Sequence, residues 1–219
     1  MFEAVRVEPS QPATATVIWL HGLGADGHDF EPVIPHLKLA EHLQIRFIFP
    51  HAPVQPVTCN GGMAMPSWYD ILELSEIRKV NEQDLIGTTH TINQLIDQEI
   101  KSGIPSDKIL LVGFSQGGAV AIHTALRYPH KLAGLLALST YMPRVDSIDA
   151  EASSANKDII IHMAHGDHDD MVTPRASKKA FDDLIAHKYS VTWDNYPMAH
   201  ELCLREIRDI GRWMEELLS

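Results

Sequence analysis

The chain is poor in cysteine and in basic charge, and it has no long apolar run. Only Cys59 and Cys203 occur in 219 residues, too few for a disulfide framework and too far apart for a C-x-x-C pair. A reducing, cytoplasmic setting is therefore the simplest expectation. Lys and Arg number 18 against 29 Asp and Glu, a formal net charge of −11. An acidic chain without a basic cluster has no electrostatic hold on nucleic acid or on an anionic membrane surface, so neither is expected as a partner. No apolar stretch reaches the ~20 residues that cross a bilayer, and no integral membrane segment is expected. Residues 1–11 are charged and Pro9 and Pro12 interrupt the start, unlike a secretory signal. Repeats, low-complexity tracts and linkers are missing too. What remains is 45% hydrophobic, enough for one α/β domain over 1–219 with a core that needs no staples.

Short β-rich runs alternate with longer helical patterns. Strands are expected at 14–20, 45–49, 108–114, 134–139, 159–164 and 190–195, and helices at 30–43, 84–102, 116–128, 174–187 and 201–218. The second to fifth strands are mostly continuous apolar runs, as in parallel strands covered on both faces. The alternation points to one doubly wound α/β sheet, mostly parallel and flanked by helices. Residues 140–157 are too few for a large cap domain, which leaves the site open.

Gly113-Phe114-Ser115-Gln116-Gly117 follows the apolar run Ile109-Leu110-Leu111-Val112 and precedes an Ala-rich helical stretch. Strand, sharp turn and helix form the context in which G-x-S-x-G acts as a nucleophile elbow. The flanking glycines let strand and helix approach closely, and the helix N-terminus favours developing negative charge. A serine nucleophile needs a base, a group that orients the base, and donors for the oxyanion. His200 follows one strand, and Asp167, Asp169 and Asp170 follow another; Ser, Asp, His is the α/β-hydrolase chain order. From the residues alone the three acids compete. The oxyanion donors expected are the backbone N–H of Gln116 and that of Leu23, in the Gly-rich loop after the first strand. That loop is not read as a nucleotide site, since no Lys-Ser/Thr pair follows it.

Together His21-Gly22-Leu23-Gly24, Pro66-Ser67-Trp68-Tyr69-Asp70, the Ser115 elbow, His165-Gly166 through Pro174, and His200 resemble the carboxylesterase/acyl-protein thioesterase family (phospholipase/carboxylesterase type) of α/β hydrolases, over essentially the whole chain. The resemblance implies cleavage of carboxyl esters and thioesters without metal or cofactor, with Ser115, Asp169 and His200 as triad and Leu23 and Gln116 as oxyanion donors. It selects Asp169 among the three acids. Ala199 departs from the glycine that many relatives carry before the histidine. The implied partners are a small ester, a lipid or an acylated protein, and a homodimer is one assembly the sequence allows. Residues 54–68 form a candidate acyl-binding wall, with Met63, Met65 and Trp68 as adaptable apolar surface; the other reading is that they pack this loop onto the sheet. Cys203 reads as a small core residue.

A lysophospholipase would use the same triad. Two further classes compete: a metal-dependent hydrolase built on His165, His168 and the adjacent acids, and a binding module on a hydrolase scaffold. The candidate metal ligands lie too close together on one loop for an obvious tetrahedral set, and no H-E-x-x-H helix accompanies them. Dialysis against EDTA should leave ester turnover essentially unchanged; strong inhibition reversed by added zinc would favour the metal reading.

Overall fold

A computed structural model describes residues 3–75 and 78–219. Its strands are β1 (Ala4–Val7), β2 (Ala15–Leu20), β3 (Ile45–Pro50), β4 (Val54–Val57), β5 (Met63–Pro66), β6 (Ile71–Glu73), β7 (Lys79–Val80), β8 (Ile109–Phe114), β9 (Gly134–Leu138), β10 (Ile160–Gly166) and β11 (Ser190–Tyr196). The helices are α1 (Ile34–Leu37), α2 (Glu82–Lys101), α3 (Gln116–Arg127), α4 (Ile148–Glu151), α5 (Pro174–Ala186) and α6 (Leu204–Leu218). Seven strands form one sheet in the order β1-β3-β2-β8-β9-β10-β11, with β1 antiparallel to β3 and every other neighbouring pair parallel.

The central strands β2, β8 and β9 are buried at every position because both faces are covered. Alternate residues point to opposite faces. Ile18, Leu20, Leu111, Leu135 and Ile161 join a core closed by α2, α3 and α5. Val17, Trp19, Leu110, Val112 and Leu136 join a second core closed by α1 and α6. At the sheet edge β11 is mostly exposed or half-buried, in keeping with one open side. Beyond the antiparallel β1, the buried Glu99 of α2 ties three strands together: it pairs with Arg6 at 3.1 Å and Arg46 at 2.6 Å, and accepts from Thr16 Oγ1 at 2.9 Å.

All six expected strands are present, with ends displaced by two residues at most. Helix ends follow local chemistry. Asn81 caps α2 by accepting from the Gln83 and Asp84 N–H groups, and Thr173 caps α5 ahead of Pro174, as N-cap and N1 preferences require. The expected helix 30–43 is not formed. Its place is taken by a 3-10 turn, Glu31–Val33, and the single turn α1, which stops at Lys38 with φ 58°. The apolar spacing of Phe30, Val33, Ile34 and Leu37 suggested a helix, but Pro35 has no N–H to bond back and its ring clashes with the previous turn. Five short strands were missed: β1, which pairs antiparallel with β3, and the four that form two small antiparallel ribbons, β4–β5 and β6–β7. Prolines at 53, 56 and 66 hide the first of these ribbons, because Pro is a poor ladder donor. Between β9 and β10 the chain makes only α4 and short 3-10 turns, so there is no cap domain. Among the described residues no helix is long and apolar enough to cross a membrane.

Glu206, in the first turn of α6, is fully buried, and neither carboxyl oxygen makes a hydrogen bond. Burial pushes its carboxyl up to about 8, despite the nearby Cys203 amide, and Asp209 pushes the same way. A carboxyl raised in the folded state binds more protons there than in the unfolded chain, so stability falls as pH rises from the ordinary carboxylate range towards 8. Glu206→Gln should remove this slope. Since one pKa unit is worth about 1.4 kcal/mol, the variant should gain a few kcal/mol over wild type at alkaline pH and little at pH 4, as read by urea denaturation. Parallel pH–stability curves would contradict the assignment.

Candidate active site

Parallel strands place their C-terminal ends on one edge, and loops from those ends converge there. Ser115 follows β8, Asp169 follows β10, His200 follows β11, and the His21–Gly24 loop follows β2. Ser115 has φ 55° and ψ −120°, a conformation rarely adopted by a residue with a side chain, which costs about 1–3 kcal/mol. Its surroundings allow no relaxation. A Cβ on Gly113 would lie 2.3 Å from the Gly117 carbonyl oxygen, and one on Gly117 would lie 2.4 Å from that of Leu20. The Ser115 N–H donates to Leu138 O at 2.9 Å, and Thr140 Oγ1 donates to Ser115 O at 2.6 Å.

The structure brings Ser115, His200 and Asp169 into one hydrogen-bonded line. His200 Nε2 lies 2.9 Å from Ser115 Oγ, and His200 Nδ1 lies 2.7 Å from Asp169 Oδ2. An ionised carboxylate only accepts, so Nδ1 carries the proton and Nε2 is left to receive the serine hydrogen. The His200 ring packs against that of Phe114 at a tilt of 43°, with centroids 4.7 Å apart. Asp169 is buried, and its other oxygen accepts from Met171 N at 2.9 Å and Val172 N at 2.8 Å. Burial would raise this carboxyl; the His200 hydrogen bond and charge, with the Val172 N–H, outweigh it and hold the group below the ordinary carboxylate range. Asp167 is exposed and accepts from Asn195 Nδ2, and Asp170 is exposed. Neither is the one bonded to His200.

His165 is buried, and burial holds its imidazole below the usual range. Its Nε2 bonds Val172 O at 2.8 Å, so it braces the Asp169 turn. Among the described residues no group of three or more His, Cys, Asp or Glu is placed to hold a metal ion. Gly22, Gly24 and Gly27 have the spacing of a dinucleotide loop, but only the 3-10 turn Glu31–Val33 and the single-turn α1 follow them, in place of the long helix whose N-terminus would hold a pyrophosphate.

A cavity of about 290 Å³ opens at Ser115. Leu23 and Gln116 both line it, and among the described residues no hydrogen bond takes up the backbone N–H of either. Of the three residues expected in an acyl wall, the structure brings only Met65 to the cavity. Met63 is 65% exposed near the tip of the β4–β5 ribbon. Trp68 is buried, with its Nε1–H donated to His21 O at 2.8 Å. For Met63 and Trp68 the expectation is corrected. Met63 shares a ribbon face with Met65 but pairs with Val57 at the tip end of the ribbon, beyond the cavity lining, and an indole N–H buried in the fold takes a backbone partner rather than face an apolar ligand. The apolar wall instead includes Ile71, Leu74, Met171 and Val172. Sequence reasoning passed over these four. The only signal was apolar side chains in otherwise polar loops: Leu74 among charges and Met171 directly after the three acids.

A sequence profile of the phospholipase/carboxylesterase family matches residues 3–218. Acyl-protein thioesterase 1 of Cryptococcus neoformans var. neoformans serotype D (strain JEC21 / ATCC MYA-565) is 37% identical over 232 residues, covering 98% of this chain and 97% of that protein. The crystal structure of Arabidopsis thaliana SOBER1 is 31% identical and superposes with a TM-score of 0.89, covering 94% of this chain and 99% of that one. That of Zea mays acyl-protein thioesterase 2 is 27% identical, with a TM-score of 0.88 over 100% of both chains.

A carboxyl held below its ordinary range stabilises the fold above that range and loses the contribution as pH falls through its folded value. Asp169→Asn should therefore destabilise the protein at pH 7, by about 1–3 kcal/mol for a buried hydrogen bond to a charged group. The gap should close in acid. Asp167→Asn and Asp170→Asn should unfold with wild-type midpoints in the same denaturation series.

Proposed function

The chain belongs to the phospholipase/carboxylesterase family of α/β hydrolases, and from that premise we propose that it cleaves carboxyl esters and acyl thioesters through an acyl-enzyme on Ser115. The observation that carries this reading is the unbroken line from Ser115 Oγ through His200 to Asp169. As Ser115 Oγ attacks the carbonyl carbon, His200 Nε2 takes its proton and Asp169 steadies the imidazolium. The carbonyl oxygen becomes an oxyanion, to which the free N–H groups of Leu23 and Gln116 donate. Collapse of the tetrahedral intermediate breaks the bond to the leaving oxygen or sulfur, which receives the proton from His200. Water then attacks the acyl-serine, with His200 again accepting a proton, and the acid leaves with Ser115 regenerated.

The substrate class follows from the cavity. Leu23, Met65, Ile71, Leu74, Met171 and Val172 give an apolar lining of adaptable side chains, suited to an acyl chain. The relative named an acyl-protein thioesterase supports an acylated protein among the substrates, and the family description supports a lysophospholipid ester as a second reading on the same machinery. Rates over p-nitrophenyl esters and acyl-cysteine thioesters of rising chain length rank these classes.

Fluorophosphonate labelling followed by peptide mass mapping should place the adduct on Ser115. Ser115→Ala should lose several orders of magnitude in kcat, since removal of a triad member leaves only about 10³–10⁴-fold catalysis over water. An adduct on another residue, or full turnover in Ser115→Ala, would sink the proposal.

A further inference from the structure

Gln116 is expected to contribute through its backbone, yet its side chain is almost completely buried and fully engaged. Nε2 donates to Tyr69 O at 2.7 Å and to Ser67 Oγ at 3.0 Å, and Oε1 accepts from Trp68 N at 3.0 Å. Ser67 Oγ in turn donates to Tyr69 O at 2.7 Å. One carboxamide thus grips three consecutive residues that belong to no strand of the main sheet.

That segment and the adjoining Pro66 of β5 grip the loop after β2. Trp68 Nε1 donates to His21 O at 2.8 Å, and Gly24 N donates to Pro66 O at 2.8 Å. The two anchors flank Leu23, one on each side. Within the loop, His21 Nδ1 bonds Gly22 O at 2.8 Å and His21 Nε2 accepts from Ala52 N at 3.1 Å. Nε2 as acceptor requires neutral imidazole, and burial holds His21 below its usual range. The far side of the segment is held independently, by Thr88 Oγ1 on Trp68 O and by the Tyr69–Tyr141 hydroxyl pair at 2.6 Å. The polar groups that join helix α3 to the loop therefore form a connected path: the Gln116 side chain to Ser67–Tyr69, Trp68 to His21, and Pro66, the residue directly before Ser67, to Gly24, with Leu23 between the two anchors.

We propose that the Gln116 carboxamide is the positioning group of the oxyanion site: by clamping Ser67–Tyr69, and through them the His21–Gly24 loop, it sets the separation between the Leu23 N–H and the N–H of Gln116 itself. The inference rests on the serine-hydrolase reading above. Its physical motive is the steep distance dependence of the task. One oxyanion donor is worth about 10²–10³ in kcat, and a misplacement of ~1 Å can cost about 10²-fold. A loop carrying two glycines next to a strand end would wander by that much unless tied on both sides. Trp68 and Ser67 are positioning residues in the same path; none of the three side chains needs to touch the acyl group.

The test separates positioning from plain structural support. Gln116→Met keeps the chain length and the backbone N–H but removes the clamp, and Trp68→Phe keeps a ring but removes the bond to His21 O. Each is measured per active site, counted by the p-nitrophenol burst, so that misfolded enzyme does not enter. Gln116→Met should lose about tenfold to a hundredfold in kcat, with KM within about threefold, the mark of an interaction made only in the transition state. Affinity for a trifluoromethyl ketone, whose serine adduct places an oxyanion in the same position, should weaken by the factor lost in kcat/KM. Trp68→Phe should show the same pattern more mildly. The double variant should lose less than the product of the two, because both act through one path. Wild-type kcat per site in either variant, a loss confined to KM, or strictly multiplicative losses would overturn the inference. If Gln116→Met does not fold, Trp68→Phe and Ser67→Ala carry the same comparison. Retained turnover in Ser115→Ala would instead overturn the underlying reaction, whereas an inert Ser115→Ala beside a fully active Gln116→Met would overturn the positioning role alone.

Discussion

Neither flank of Ser115 has room for a side chain. The turn from β8 into α3 brings the two backbones so close that a methyl group on Gly113 or Gly117 would overlap a carbonyl oxygen. This crowding holds Ser115 at φ 55°, a strained state that survives only because its surroundings over-determine it. The same contact presses the start of α3 against the end of β2, and so places the proposed oxyanion loop beside the proposed nucleophile. The rest of the site is arranged around that point.

The electrostatics show a second pattern. In an acidic chain with a net charge of −11, the buried carboxylates are handled in different ways. Glu99 has two arginines and a threonine and works as a clamp across strands. Asp169 has two backbone amides and an imidazole, and stays ionised. Glu206 has no hydrogen bond and is driven towards its neutral form. At Asp169 and Glu206 burial opposes charge, and the partners decide which side wins. Only the Asp169 arrangement leaves a histidine with one nitrogen committed and the other aimed at a hydroxyl.

Legibility in the sequence followed the range of the forces involved. The strands could be read because parallel strands buried on both faces have to be continuously apolar, as Ile109–Phe114 is. The start of α5 at Thr173 and Pro174 was visible locally, whereas α2 begins two residues before its expected start because Asn81 caps it. The short α1 was overestimated because its apolar spacing was helical while Pro35 vetoed the hydrogen bonding. The ribbons β4–β5 and β6–β7 were missed because each draws its partner from a short neighbouring segment rich in proline or charge. The line Ser115–His200–Asp169 could be anticipated from chain order, but Asp169 was separated from Asp167 and Asp170 only by resemblance. The structure separates them by hydrogen bonding: Asp169 alone is turned inward, with Met171 and Val172 amides closing on one oxygen.

By itself the sequence determined the alternating architecture, the elbow around Ser115 and the candidate triad, because each depends on residue types that act locally or in a known order along a strand–turn–helix unit. Tertiary structure alone decided which apolar side chains face the cavity and how the oxyanion loop is held. Met63 and Met65 sit two apart in one strand yet have different surroundings, and Trp68, 48 residues from Gln116, is turned from an expected wall into a brace. The physical reason is that facing and bracing are set by which backbones meet in space, and these contacts join segments whose separation along the chain carries no periodic or compositional trace.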